Sequence, residues 1–129
     1  MRQNQRQLKH SRLRHYTVKN LVPATDTEGV TSETFPGPAF TVKGEIWPAT
    51  GKRQVEMYGD RVNGISNMRI VGQYELTTSG AFSCIVIDDH TIRQGDGVYV
   101  LADPETQDPD YRVISITPYQ PVKMEIERR

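Results

Sequence analysis

Apolar and polar residues alternate with period two in short runs along the chain. In "FTVKGEI", Phe40, Val42 and Ile46 fall on one face and Thr41, Lys43 and Glu45 on the other. In "VKMEIE", Val122, Met124 and Ile126 alternate with Lys123, Glu125 and Glu127. This spacing predicts strands with one face on a core and the other in water. "FSCIVI" (82–87), "GVYVLA" (97–102) and "YRVISI" (111–116) are more continuously apolar and β-branched, as central strands are. "NMRIV" (67–71) and "RHYTVK" (14–19) are weaker candidates. Turn chemistry separates the runs at "TDTEG" (25–29), "PGP" (36–38), "GDG" (95–97), "DPETQDPD" (103–110) and "TPYQP" (117–121). Prolines at 23, 36, 38, 48, 104, 109, 118 and 121 leave no room for a long helix. The pattern predicts a mainly all-β chain, a small antiparallel barrel or sandwich of about seven strands.

One segment breaks the pattern. "EIWPATGKRQVEMYGDRVNG" (45–64) starts as a strand, stops at Pro48 and Gly51, and holds a short helix-compatible run to Tyr58. Thr50 is placed to cap that helix and Gly59 to end it in a left-handed conformation. Val55, Tyr58 and Val62 form a thin apolar stripe. So short a helix needs packing to persist in water.

At 129 residues the chain is read as one domain, 1–129, with a basic arm at 1–13 and an inserted loop at 48–64. Charge is balanced at 16 basic against 16 acidic residues, which argues against a protein that coats nucleic acid. The balance is uneven locally. Arg2, Arg6, Lys9, Arg12, Arg14 and Lys19 make residues 1–20 +6, leaving 10 basic against 16 acidic residues (−6) beyond them. The segment suits an arm with its own partner, a solvated tail or a polar first strand. Cys84, the single cysteine, lies in "AFSCIVID" and reads as a small buried side chain. No apolar run approaches the length of a membrane span, and no leader pattern opens the chain. We therefore expect a soluble protein made in the cytoplasm, with no membrane partner.

Candidate chemistry is sparse. Asp88-Asp89-His90 could hold a metal or act as acid and base, but adjacent strand residues point to opposite faces and no second cluster completes a site. "GDG" lacks the ligands or helix of a calcium or phosphate loop and reads as a hairpin turn. Serine, histidine and aspartate occur without a nucleophile elbow. The aromatic residues are spread one per segment, unlike a stacking platform for single strands. The expectation is a non-enzyme with no metal and no cofactor.

Taken in order, "MRQNQRQLKHSRLRHY", "TDTEGVTSETF", "VKGEIWPATGKRQVEMYGDRVNGISNMRI", "GDGVYV" and "DYRVISITPY" with "VKMEIE" resemble the small head-closure (head–tail connector, or stopper) proteins of tailed bacteriophages of Gram-positive hosts. The closest parts are "PATGKRQVEMYGD", where that family carries a Pro-Ala-Ser-Gly-like turn, a short acidic helix and an aromatic-Gly pair, and "DYRVISI". Thr50 stands where serine is commoner.

The resemblance implies a virion protein of the phage neck. It would be a β-barrel forming a six- or twelve-fold ring beneath portal and adaptor proteins and above a tail terminator or tail tube. There it would retain packaged DNA, touched without sequence preference, and dock the tail. On that reading the free chain is monomeric or weakly associated. Loop 48–64 contacts neighbouring copies and lines or closes the channel through Thr50, Lys52, Arg53, Val55, Glu56, Tyr58, Asp60, Arg61 and Asn63. The arm contacts neighbours through Arg2, Arg6, Lys9, Arg12 and Arg14. The competing reading of the loop is a surface excursion packed on its own barrel through Val55 and Tyr58. Competing functions are an adaptor or tail terminator, for which a longer helix is expected, and a small nucleic-acid-binding barrel.

Overall fold

The computed structural model describes residues 13–80, 82–117 and 122–129. Arg2, Arg6, Lys9 and Arg12 of the arm, and most of the "TPYQP" turn, lie outside them. The described strands are β1 (Arg14–Lys19), β2 (Val22–Thr25), β3 (Thr31–Thr34), β4 (Phe40–Pro48), β5 (Ile65–Val71) and β6 (Glu75–Ser79). They continue with β7 (Phe82–Ile87), β8 (His90–Ile92), β9 (Gly97–Tyr99), β10 (Tyr111–Thr117) and β11 (Lys123–Arg128). The α-helix α1 (Lys52–Tyr58) and a 3-10 helix (Gly59–Gly64) stand between β4 and β5. The order β1-β4-β5-β11-β10-β9 closes an antiparallel barrel.

Period-two alternation builds the core as expected. Phe40 and Val42 of β4, and Met124 and Ile126 of β11, turn inward with Val18, Met68, Val98 and Val113. Gly44, also inward on β4, stands where an added Cβ would strike the Arg69 carbonyl oxygen, so β4 and β5 can approach only with glycine there. On β10 the register shifts between Val113 and Ser115. This bulge resets the parity, so Ile116 packs on the core and Ser115 faces outward beside Glu125.

"FSCIVI" is a central strand, but of a separate three-stranded sheet, β6-β7-β8. That sheet adds Ile85 and Ile92 to the barrel's core and leaves Phe82 59% exposed at its tip. "GVYVLA" ends as a strand at Tyr99, and Leu101 is 86% exposed.

β2 and β3 form a ribbon exposed along almost its whole length. Its turn is the expected "TDTEG": Asp26 Oδ1 accepts from the Glu28 and Val30 amides, with Gly29 at φ 84. The flanking strands, "VPAT" and "TSET", bury no face and so carry no alternation to read.

Candidate functional site: the excursion between β4 and β5 and its polar dock

The β4–β5 ladder runs without a break to Pro48↔Ser66, and the Ala49 amide donates to the Ile65 carbonyl (3.2 Å). Residues 50–64 therefore leave a finished pair of strands and return to it. The sheet does not need them.

The helix is entered through Gly51, in extended conformation, whose carbonyl accepts from the Val55 amide (3.0 Å). Thr50 lies one residue outside and caps nothing, contrary to expectation; no side-chain cap closes the N-terminus. Gly59 does end the helix at positive φ (58°), though its ψ of −131° is not the left-handed helical value.

The expected stripe is also revised. Val55 and Met57 face solvent, 47% and 67% exposed, and the helix turns Gln54 and Tyr58 toward the barrel. They meet a row of outward polar residues on three adjacent strands: Ser115 on β10, Glu125 on β11 and Asn67 on β5, cross-strand partners in the ladder. Glu125 Oε1 accepts from the Tyr58 hydroxyl (2.8 Å) and the Ser115 hydroxyl (2.6 Å), and Oε2 accepts from Gln54 Nε2 (2.7 Å). Gln54 Nε2 also donates to Asn67 Oδ1 (2.6 Å), and Asn67 Nδ2 returns a bond to Gln54 Oε1 (3.3 Å). Asn67 is nearly inaccessible (4% exposed), so this amide pairing satisfies a buried polar group.

One pitch further along β11, Glu127 accepts both Nε and Nη2 of Arg61 at 3.0 Å and Nη2 of Arg112 at 3.2 Å. Arg61 also lies over the Tyr58 ring, 5.5 Å from its centre. The excursion is thus fastened at two carboxylates of one strand.

Protonation follows from this geometry. Burial, reinforced by the Glu125 hydrogen bond and charge, pushes the Tyr58 hydroxyl up to about 12. Burial works to raise Glu125 as well, but three donated hydrogen bonds outweigh it and hold the carboxyl below its ordinary range. The Arg61 guanidinium, joined by Arg112, holds Glu127 low.

Of the contact residues expected in the loop, Tyr58 and Arg61 are committed to their own barrel. Thr50, Lys52, Arg53, Val55, Glu56, Asp60 and Asn63 are exposed. Arg14 is exposed on β1, opposite Gly44, so the basic arm ends where the barrel begins. Sequence reasoning missed Gln54, Asn67, Ser115 and Glu125; the outward phase of Glu125 in "VKMEIE" was visible, but its partners lie on distant segments.

The remaining candidates have structural roles here. Asp88 and Asp89, at φ 47° and 66°, are the two central residues of a tight hairpin between Ile87 and His90. The His90 ring stacks on Phe40, 4.2 Å between centroids. "GDG" is not a hairpin turn, because β8 and β9 belong to different sheets. Asp96, 3% exposed, explains the turn: it accepts from the Leu21 and Arg93 amides and from Asn20 Nδ2, joining the end of β1 to the β8–β9 link. Cys84 is buried. Among the described residues, no three acidic, histidine or cysteine side chains gather in a metal-binding group.

Comparison with protein-family models, curated proteins and solved structures found no match.

Proposed function

We propose that this chain is a structural protein of a tailed-phage neck, a head-closure ring subunit that retains packaged DNA and docks the tail. The observation that carries the proposal is the β4–β5 excursion. It adds nothing to the sheet, yet is fastened in a defined position with Lys52, Arg53, Val55, Glu56 and Met57 turned outward. Holding a short helix so that its outer face stays unused is a cost in chain entropy that a contact with another molecule offsets. Around a ring, the mixed signs of Lys52, Arg53 and Glu56 let copies meet without like-charge repulsion. The one described α-helix is seven residues long, which supports head closure over the helix-richer adaptor and tail-terminator readings.

The test removes the outer face and spares the dock. A chain carrying Lys52→Ala, Arg53→Ala, Val55→Ser, Glu56→Ala and Met57→Ser should fold normally and yield heads that leak DNA or fail to join tails. Fully infectious particles built with it would refute the proposal.

A further inference from the structure

Five arginines converge on one side of the barrel. A groove of about 590 Å³ is lined by Arg61, Arg93 and Arg112 together with Glu33, Phe82 and Cys84. It continues past Arg112 to Arg128, Arg129 and Glu127. Five guanidiniums thus face two carboxylates, an excess of three positive charges. Both carboxylates are already engaged: Glu127 by Arg61 and Arg112, Glu33 by Arg112 (4.0 Å) and Arg129 (3.6 Å). Arg93 and Arg128 have no ion pair among the described residues. A concave surface with a clear excess of one charge gathers and orients an oppositely charged partner.

The same chain carries a matching surface. Between β9 and β10, residues 101–110 ("LADPETQDPD") hold four carboxylates and no base. Two of the four shape the loop. Asp110 accepts from the Val100 and Leu101 amides, and Asp103 accepts from the Glu105 amide and the Thr106 hydroxyl. Lys19 Nζ donates to the Pro104 carbonyl (3.0 Å) and the Tyr99 hydroxyl to the Gln107 carbonyl (2.8 Å), pinning the loop to β1 and β9. Arg129 holds its root through the Pro109 carbonyl (2.8 Å). This leaves Glu105 and Asp108 exposed and without an ion pair among the described residues, on the same loop as the exposed Leu101. Acid and apolar groups are thus presented on an already ordered loop, so little ordering cost remains when it binds. The groove presents the complement, arginine with an exposed phenyl ring at Phe82.

We propose that copies of this chain join head to tail, the β9–β10 loop of one seated in the arginine groove of the next. Glu105 and Asp108 pair with Arg93 and Arg128 of the neighbour, and Leu101 packs against Phe82. The two surfaces differ, so the contact is heterologous, and a rotation that closes it generates a ring. The proposal rests on and deepens the neck-ring reading by adding a second contact between copies to that of the α1 outer face, and it is tested apart from that reading.

The test is oxidative cross-linking of the full chain. Gln94→Cys marks the groove and Ala102→Cys the loop. Mixing the two single variants should give a disulfide-linked dimer, and the double variant a ladder of higher species, well above either single variant alone. Adding Arg93→Glu and Arg128→Glu should weaken the ladder by about tenfold or more. Mixing that groove with a chain carrying Glu105→Arg and Asp108→Arg should restore it. No ladder, or one indifferent to both reversals, overturns the proposal. So does salt-sensitive binding of duplex DNA that Arg93→Glu and Arg128→Glu abolish while the ladder persists, since the groove would then belong to nucleic acid. If the ladder fails but the outer-face variant of α1 still produces leaking heads, the neck reading survives without this interface. If the ladder behaves as expected but heads close normally without the outer face, the interface survives without the neck reading.

Discussion

The barrel core and the α1 dock meet on opposite faces of the same strand. Met124 and Ile126 of β11 point inward into the apolar core cluster, while Glu125 and Glu127 point outward into hydrogen bonds with the excursion. Burial of apolar area is non-directional and shared by many neighbours, so the core fails as a unit. The dock depends on a few directional bonds to two carboxylates, so it is expected to open locally before the barrel does. One strand thus carries two kinds of contact, one shared among many neighbours and one confined to a few bonds.

That contrast can be broken most heavily from the core side. Met68→Ala and Ile126→Ala, both at fully buried positions, should each cost about 2–5 kcal/mol, unfolding barrel and dock together in one transition. Gly44→Ala should cost about 1–3 kcal/mol, because β4 and β5 must separate to admit the methyl group against the Arg69 carbonyl. Denaturant titration followed by circular dichroism checks all three.

A smaller and local effect is expected from the dock. Glu125→Ala removes the acceptor of Gln54, Tyr58 and Ser115 and should cost roughly 1.5–3 kcal/mol. Hydrogen exchange should speed up at the amides of residues 52–64 while barrel amides such as Val113 stay protected. Equal acceleration everywhere would contradict the separation of the two regions.

pH should reveal the same division with both signs. Glu125 and Glu127 have folded pKa values below the ordinary 4.5, so their contribution is complete above that value and is lost as pH falls through the lowered values. Tyr58 is raised from 10.0 to about 12, so its contribution is complete below pH 10 and is lost as pH climbs toward 12. Protection of the amides at residues 52–64, taken relative to the intrinsic exchange rate at each pH, should therefore fall at both extremes, and Tyr58→Phe should flatten the alkaline limb.

The smallest effect on stability should come from the outer face of α1. The five-residue replacement there should shift stability by no more than about 0.5 kcal/mol per residue replaced and, on the proposed function, prevent head closure, sharpening the distinction between what holds the excursion and what it presents.

Legibility followed burial. β4 and β11 were readable because one face of each meets the core, and the turn at Asp26 because its side chain organises its own backbone. β2, β3 and β6 passed unread because "VPAT", "TSET" and "ELTTS" show no clean alternation of apolar and polar residues. "YRVISI" was readable as a strand but not in its phase, because a bulge at Ile114 shifts which isoleucine faces inward.

The excursion marks the boundary between local and tertiary information. Its breaks at Gly51 and Gly59, its short helix and its place between two strands were determined by the sequence alone, through backbone preferences that act over a few residues. The break expected at Pro48 is absent, because β4 runs on through it, paired with Ser66. Which side of that helix meets the barrel was decided by tertiary structure. Spacing favoured Val55 and Tyr58, but the surface beneath is a polar row drawn from β5, β10 and β11, so Gln54 turns in and Val55 turns out. The arginine groove arose in the same way, from residues between 33 and 129 that no local pattern connects. Hydrogen-bond partners are set by which segments the closed barrel brings within about 3 Å of one another, and that proximity is a property of the fold.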